Sequence, residues 1–98
     1  MGIIEGLNKI FESRVRLGIM STLMVNDSID YNTLKELLDI TDGNLASHIK
    51  ALEKAQFINI DKRFVGKKPK TSYSATKLGK FSFKEHLTAL EKILKGKI

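Results

Sequence analysis

Thr41-Asp42-Gly43-Asn44-Leu45-Ala46-Ser47-His48-Ile49-Lys50-Ala51-Leu52-Glu53-Lys54 runs through Ala55-Gln56-Phe57 into Ile58-Asn59-Ile60-Asp61-Lys62-Arg63-Phe64-Val65. In the first stretch Leu45, Ile49 and Leu52 stand at i, i+4 and i+7, one face of an α-helix. Thr41-Asp42-Gly43-Asn44 before them reads as a turn whose threonine or aspartate caps that helix. In the second stretch Ile58, Ile60, Lys62 and Phe64 alternate with Asn59, Asp61, Arg63 and Val65, the two-residue period of a half-buried strand. Gly66-Lys67-Lys68-Pro69 breaks the strand. Thr71-Ser72-Tyr73-Ser74-Ala75 is β-prone again, which makes a hairpin with a basic tip.

Upstream, Leu34, Leu37 and Leu38 mark a short helix over Asn32–Leu38, preceded by a brief extended piece at Ile29–Tyr31. Before that, Leu17, Met20, Leu23 and Met24 keep helical spacing behind Ser13 as N-cap, and Asn26-Asp27-Ser28 ends the helix. Ile3, Leu7, Ile10 and Phe11 predict a first helix over about 3–11, and Phe83, Leu87, Leu90 and Leu94 a last one over about 77–95 behind Thr76. Two short helices joined by a tight turn, then a basic hairpin, are the arrangement of a winged helix-turn-helix. The predicted class is mainly α (α+β), with a two-stranded β wing and flanking N- and C-terminal helices, in one domain over 1–98.

Composition narrows the chemistry. There is no cysteine among the 98 residues, which removes disulfides, thiolate metal sites and cysteine nucleophiles. No apolar run approaches the roughly 18 residues of a membrane span, and no signal-peptide pattern opens the chain, so the expected address is cytoplasmic. Charge is uneven: residues 1–48 hold Lys9, Arg14, Arg16 and Lys35 against seven acids, whereas residues 49–98 hold thirteen basic residues against four acids. Five of the thirteen fall between Lys62 and Lys70. That asymmetry points to a polyanion, nucleic acid before membrane.

Catalysis finds no support. His48 and His86 lie on different predicted helices, with no nucleophile–base spacing and no glycine-rich cofactor fingerprint. No cofactor and no metal are expected. His86, Glu85 and Glu91 share a helical face poorly and read as a surface charge cluster. Gly66-Lys67-Lys68 lacks the upstream glycine spacing of a phosphate-binding loop, and Lys67-Lys68-Pro69-Lys70 resembles a nuclear signal in composition only.

Thr41-Asp42-Gly43-Asn44-Leu45, Ser47-His48-Ile49-Lys50-Ala51-Leu52-Glu53, Phe57-Ile58, Lys62-Arg63, Pro69-Lys70-Thr71 and Ala75-Thr76-Lys77-Leu78-Gly79 together carry a resemblance. The chain is similar to the small single-domain winged-helix transcriptional regulators between the ArsR-like and MarR-like groups of prokaryotic repressors. The similarity covers Ser13 to about Leu94. It departs at Gln56, where that family usually has glycine; either glutamine bears roughly 1–2 kcal/mol of left-handed strain or the turn differs.

On the predicted reading helix, about 43–54, the side opposite the apolar stripe presents Gly43, Asn44, Ser47, Lys50, Ala51 and Lys54. Asn44 can pair bidentately with adenine and Ser47 can serve donor or acceptor sites, while Gly43 allows close approach. Lys50 and Lys54 are phosphate contacts or ordinary solvated lysines. Thr41 caps the helix or donates to phosphate; Asp42 is read as a cap. His48 hydrogen-bonds a base or phosphate, as the resemblance implies, or is a half-buried structural histidine. On the wing, about 62–71, Lys62, Arg63, Lys67, Lys68 and Lys70 repel one another, and acidic lipid or RNA would also suit such a loop.

Ile3, Leu7, Ile10, Phe11, Phe83, Leu87, Leu90 and Leu94 offer more apolar surface than this small core needs, and are read as a dimer interface. The expectation is a homodimeric, non-enzymatic, sequence-specific repressor of transcription bound to double-stranded DNA. A winged-helix protein-interaction or RNA-binding module is the alternative. The operator, the target genes and any small-molecule effector have no residue signature.

Overall fold

The computed structural model describes residues 2–96. After a single 3-10 turn at Lys9–Phe11 come α1 (Arg14–Val25), β1 (Ile29–Asp30), α2 (Tyr31–Leu38), α3 (Asp42–Lys54), β2 (Ile58–Val65), β3 (Lys68–Ala75) and α4 (Lys77–Leu94). The sheet is antiparallel in the order β1-β3-β2. The fold is a winged helix-turn-helix whose wing has a third strand: the extended piece at Ile29–Asp30 pairs with Tyr73 and Ser72. No helix among the described residues is long and apolar enough to cross a membrane.

Each helix begins on a side-chain oxygen that accepts one of the amides left over in the first turn. Ser13 accepts from the Arg16 N–H at 3.3 Å, and Thr76 from that of Gly79 at 2.8 Å. Asp30 accepts from the Thr33 N–H at 2.7 Å, so the last residue of β1 is also the N-cap of α2. Thr41, not Asp42, caps α3, accepting from the Asn44 N–H at 3.2 Å.

Both helices of the helix-turn-helix end on a left-handed residue that is not glycine: Asp39 at φ 50° and Gln56 at φ 65°. At Gln56 the glycine turn is retained. Its N–H donates to the Glu53 carbonyl at 2.9 Å and that of Phe57 to the Leu52 carbonyl at 3.0 Å, the paired bonds of a Schellman motif. Leu52 and Phe57, the apolar pair that goes with this motif, are both buried. Thr76 donates its hydroxyl to the Gln56 carbonyl at 2.7 Å and its N–H to the Phe57 carbonyl at 3.0 Å, locking the turn to the start of α4.

The expected first helix over 3–11 is not an α-helix. Residues 3–6 form turns, and the chain is extended at Asn8 (φ −110°, ψ 120°) before the 3-10 turn. Asn8 explains the break. Its side chain accepts from the Ile10 N–H at 3.0 Å, while its own N–H donates to His86 Nδ1 at 2.9 Å. Asparagine here offers the backbone a local alternative to helix.

The core joins Ile19, Met20, Leu23, Leu34, Leu45, Leu52, Ile58, Tyr73 and Phe83 around Phe11. The Phe11 ring stacks on Phe57 at 5.2 Å between centroids and meets Phe83 edge-on at 5.1 Å. Leu37, counted in the apolar stripe of α2, is exposed. Gly79 at the root of α4 lies so near the Phe57 backbone that a Cβ would stand 2.0 Å from that carbonyl oxygen.

β2 and β3 pair from Ile58–Ala75 out to Val65–Lys68. Gly66 and Lys67 alone form the turn, with Gly66 at φ 67°, the first central position of a type II′ hairpin. Pro69 therefore lies in the strand rather than in the break. It is tolerated because β1 reaches only Ser72 and Tyr73, leaving that side of β3 unpaired. Four cross-strand pairs, Lys62–Thr71 to Val65–Lys68, extend past the reach of β1. The half-buried strand is half-buried only at its root: Ile58 and Ile60 pack on the core, whereas Phe64 and Val65 are exposed.

Candidate nucleic-acid interface

Leu45, Ile49 and Leu52 are buried, which turns Gly43, Asn44, Ser47, Lys50 and Lys54 to solvent. Asp42 and Glu53 fall on the flank of α3, so the face opposite the core carries two lysines and no acid. Asp42 does not cap. Its carboxylate accepts from the Tyr31 hydroxyl and pairs with Lys35 Nζ at 2.9 Å, tying α2 to the first turn of α3. These bonds, Tyr31 first and Lys35 next, hold the Asp42 carboxyl below the ordinary carboxylate value. The same bond, with the negative charge beside it, pushes the Tyr31 hydroxyl up to about 12. Thr41 accepts through its oxygen as cap, which leaves its hydroxyl hydrogen able to donate.

His48 is half-buried at the edge of the core stripe, and its Nδ1 accepts from Arg16 Nε at 3.0 Å. Arg16 Nη1 also donates to the Ile10 carbonyl at 3.2 Å, so one guanidinium joins the N-terminal segment to α3. Burial, and then the Arg16 charge, lower the imidazole's affinity for a proton. The neutral ring with Nδ1 accepting carries its hydrogen on Nε2. Arg16 is absent from the sequence-based site: Arg14 shares the first turn of α1 with it, so a cation opposing the macrodipole there does not single it out, and only the fold shows which of the two reaches His48.

All five basic residues of the wing are exposed. They are not equivalent. Arg63 pairs with Asp61 two positions back on its own strand, and Lys70 Nζ lies 3.9 Å from the Asp30 carboxylate. Among the described residues, Lys62, Lys67 and Lys68 have no ion pair.

The expected dimer face divides. Phe11 and Phe83 do not belong to it: they are 0% and 2% exposed, in the chain's own core, and unavailable to a partner. Leu7 and Ile10 are half-buried, while Ile3, Leu87, Leu90 and Leu94 are exposed, with Ile4 beside them. His86 is buried against Phe11 rather than part of a surface cluster, and no group of metal-ligating side chains occurs among the described residues.

Residues 15–94 match the family described as winged helix DNA-binding domain. An uncharacterised protein of Methanocaldococcus jannaschii is 36% identical over 88 residues, covering 90% of this chain and 96% of that one. A solved structure described as a transcriptional regulator homologue, from Pyrococcus horikoshii, superposes with a TM-score of 0.85 at 31% identity, covering 96% of this chain and 91% of that chain. A structure from Porphyromonas gingivalis, named for the MarR family of transcriptional regulators, gives 0.69 at 25% identity, over 89% of this chain and 80% of its own. With a family match across most of its length, and a helix-turn-helix and wing built as described, the chain belongs to the winged-helix DNA-binding domain family.

Proposed function

We propose that this chain is a transcriptional regulator, without an enzymatic step, that binds a specific double-stranded DNA site in the cytoplasm as a homodimer and represses by occupying it. The observation that carries the reading is the solvent face of α3, where Gly43, Asn44, Ser47, Lys50 and Lys54 are exposed and no acid intrudes. A helix of this kind fits the major groove, where base edges are distinguishable. Asn44 and Ser47 read base edges, Gly43 admits the backbone, and Thr41, Lys50 and Lys54 hold phosphates. His48 offers its Nε2 hydrogen to a base or phosphate. Arg63, Lys67, Lys68 and Lys70 bring the wing to neighbouring phosphates or the minor groove. The transcriptional role is supported by the Pyrococcus horikoshii relative.

The apolar stripe of α4 supports the dimer. It passes from buried Phe83 to Leu87, Leu90 and Leu94, which are 42%, 38% and 78% exposed. Joined by Ile3 and Leu7, it forms a face for a second copy, which would set the two reading helices about 34 Å apart.

Fluorescence anisotropy on duplex DNA over a range of salt tests the reading. Each phosphate contact contributes about 0.9 to the slope of log affinity against log salt, so Lys67→Ala with Lys68→Ala in a dimer should lower it by up to about 3–4. Flat salt dependence, or a slope that the double substitution leaves alone, refutes the wing contacts. Leu87→Lys with Leu90→Lys should give monomers in sedimentation equilibrium; an unchanged mass refutes the interface.

A further inference from the structure

The core-facing side of the wing continues after the core has ended. Ile58, Ile60, Lys62 and Phe64 stand on one face with their cross-strand partners Ala75, Tyr73, Thr71 and Pro69. Ile58 is buried and Ile60 packs on the core, but Phe64 is 73% exposed and lies outside the core cluster. Pro69 opposite it covers little of the ring. Burying a phenylalanine is among the larger single contributions to folding, and this side chain makes little of it. Lys62 stands on the same face one pair nearer the core, Lys67 is in the turn, and Lys68 is on the opposite face beside Val65; none has an ion pair among the described residues.

An exposed aromatic ring just behind a cationic tip matches a ligand anionic outside and apolar within. Duplex DNA is built in that way, with phosphates outside and stacked bases inside. We propose that Phe64 is a wedge that enters the minor groove and partly unstacks a base step while the wing lysines hold the flanking phosphates. Pyrimidine–purine steps unstack most easily, so Phe64 adds a preference for them at positions α3 does not touch. This rests on the DNA-binding reading above and assigns sequence choice to a residue outside the reading helix.

The test uses the full chain and duplexes of the sequence recovered by selection from a random pool, with 2-aminopurine replacing adenine at each pyrimidine–purine step in turn. Its emission rises when the base unstacks. The wild-type protein should raise emission at a step beneath the wing. Phe64→Thr keeps a good strand former but removes the wedge. It should abolish the rise and weaken binding about ten- to a hundredfold for each wing engaged, the range of one lost base–aromatic contact. The salt slope should stay unchanged, because no phosphate contact is lost. Phe64→Leu, still apolar, should keep most of the rise.

A duplex that binds with no step brightened overturns the proposal. So does a Phe64→Thr protein with wild-type emission and affinity, or one whose salt slope falls, since Phe64 would then act only by holding the lysines in place. Loss of binding to phosphatidylserine vesicles with duplex binding untouched would assign the tip to lipid and overturn it as well. Failure of the wild-type chain to bind any duplex would remove the DNA-binding reading itself, and the wedge with it.

Discussion

Replacing Gln56 with glycine should stabilise this protein. The residue sits at φ 65°, where a Cβ crowds the following carbonyl at a cost of roughly 1–2 kcal/mol. Glycine removes that strain but gives the unfolded chain more freedom, which costs back about 0.5–1 kcal/mol. Nothing else is lost. The Gln56 side chain is exposed, and the contacts at this position are made by its N–H to Glu53 and its carbonyl from Thr76, both backbone groups. The net gain is about 0.5–1 kcal/mol, which in a domain of this size raises Tm by about 2–8 °C. Thermal unfolding and urea titration read it, with the urea m-value unchanged. Gln56→Ala is the control, because alanine keeps the Cβ and should differ from wild type by less than about 0.5 kcal/mol. A glycine variant no more stable than the alanine variant would refute the strain argument. Asp39→Gly should gain less, since aspartate tolerates the left-handed region better than glutamine.

Three further outcomes follow from contacts described above. Gly79→Ala should cost about 3 kcal/mol or more in chemical denaturation, because its Cβ would meet the Phe57 carbonyl at 2.0 Å and backbone cannot swing aside. In ultraviolet titration Tyr31 should ionise at about 12, and Asp42→Asn should bring it down toward its ordinary 10.0. Since the Tyr31 value is raised and that of Asp42 lowered, the stability contributed by this bond is complete between pH 3.8 and pH 10.0; it is lost as pH rises through about 12 or falls through the depressed Asp42 value. His48 has the opposite sign: its folded value is lowered, so its contribution is complete above the ordinary 6.5 and is lost as pH falls through the depressed value. His48→Gln should flatten that part of the stability profile measured by urea titration; an unchanged pH dependence would place the titrating group elsewhere.

The parts of the fold set by local rules were legible. The change of period after Phe57 located the boundary between α3 and β2, and Ser13, Thr41 and Thr76 lie where the chain needs side-chain acceptors. What failed depends on distant partners. The spacing of Ile3, Leu7, Ile10 and Phe11 describes an apolar face but not the backbone beneath it, and the bond that holds Asn8 extended comes from His86. An apolar stripe likewise does not say what covers it. Phe11 and Phe83 meet each other across the core, whereas Leu87, Leu90 and Leu94 on the same helix face remain outside it. Asp42 was misread because its acceptor capacity is used by Tyr31 and Lys35 on the preceding helix, a contact fixed by the angle between the helices. At the candidate interface the exposure of Asn44, Ser47, Lys50 and Lys54 was legible, whereas the Arg16–His48 bond and the exposed Phe64 were not.

The two residues of β1 make the wing a cantilever. Pairing on both sides of β3 stops at Ser72, and the four cross-strand pairs beyond it project about 13 Å with a partner on one side only. A small rotation at the clamp becomes a larger lateral sweep at Gly66. Amide exchange along the hairpin should therefore quicken from Tyr73 toward Lys68, with local opening free energy falling toward the tip. Asp30 sits at the clamp itself, paired with Ser72, capping α2 and lying 3.9 Å from Lys70. Any force on the free end is thus delivered to the first turn of the helix that supports α3.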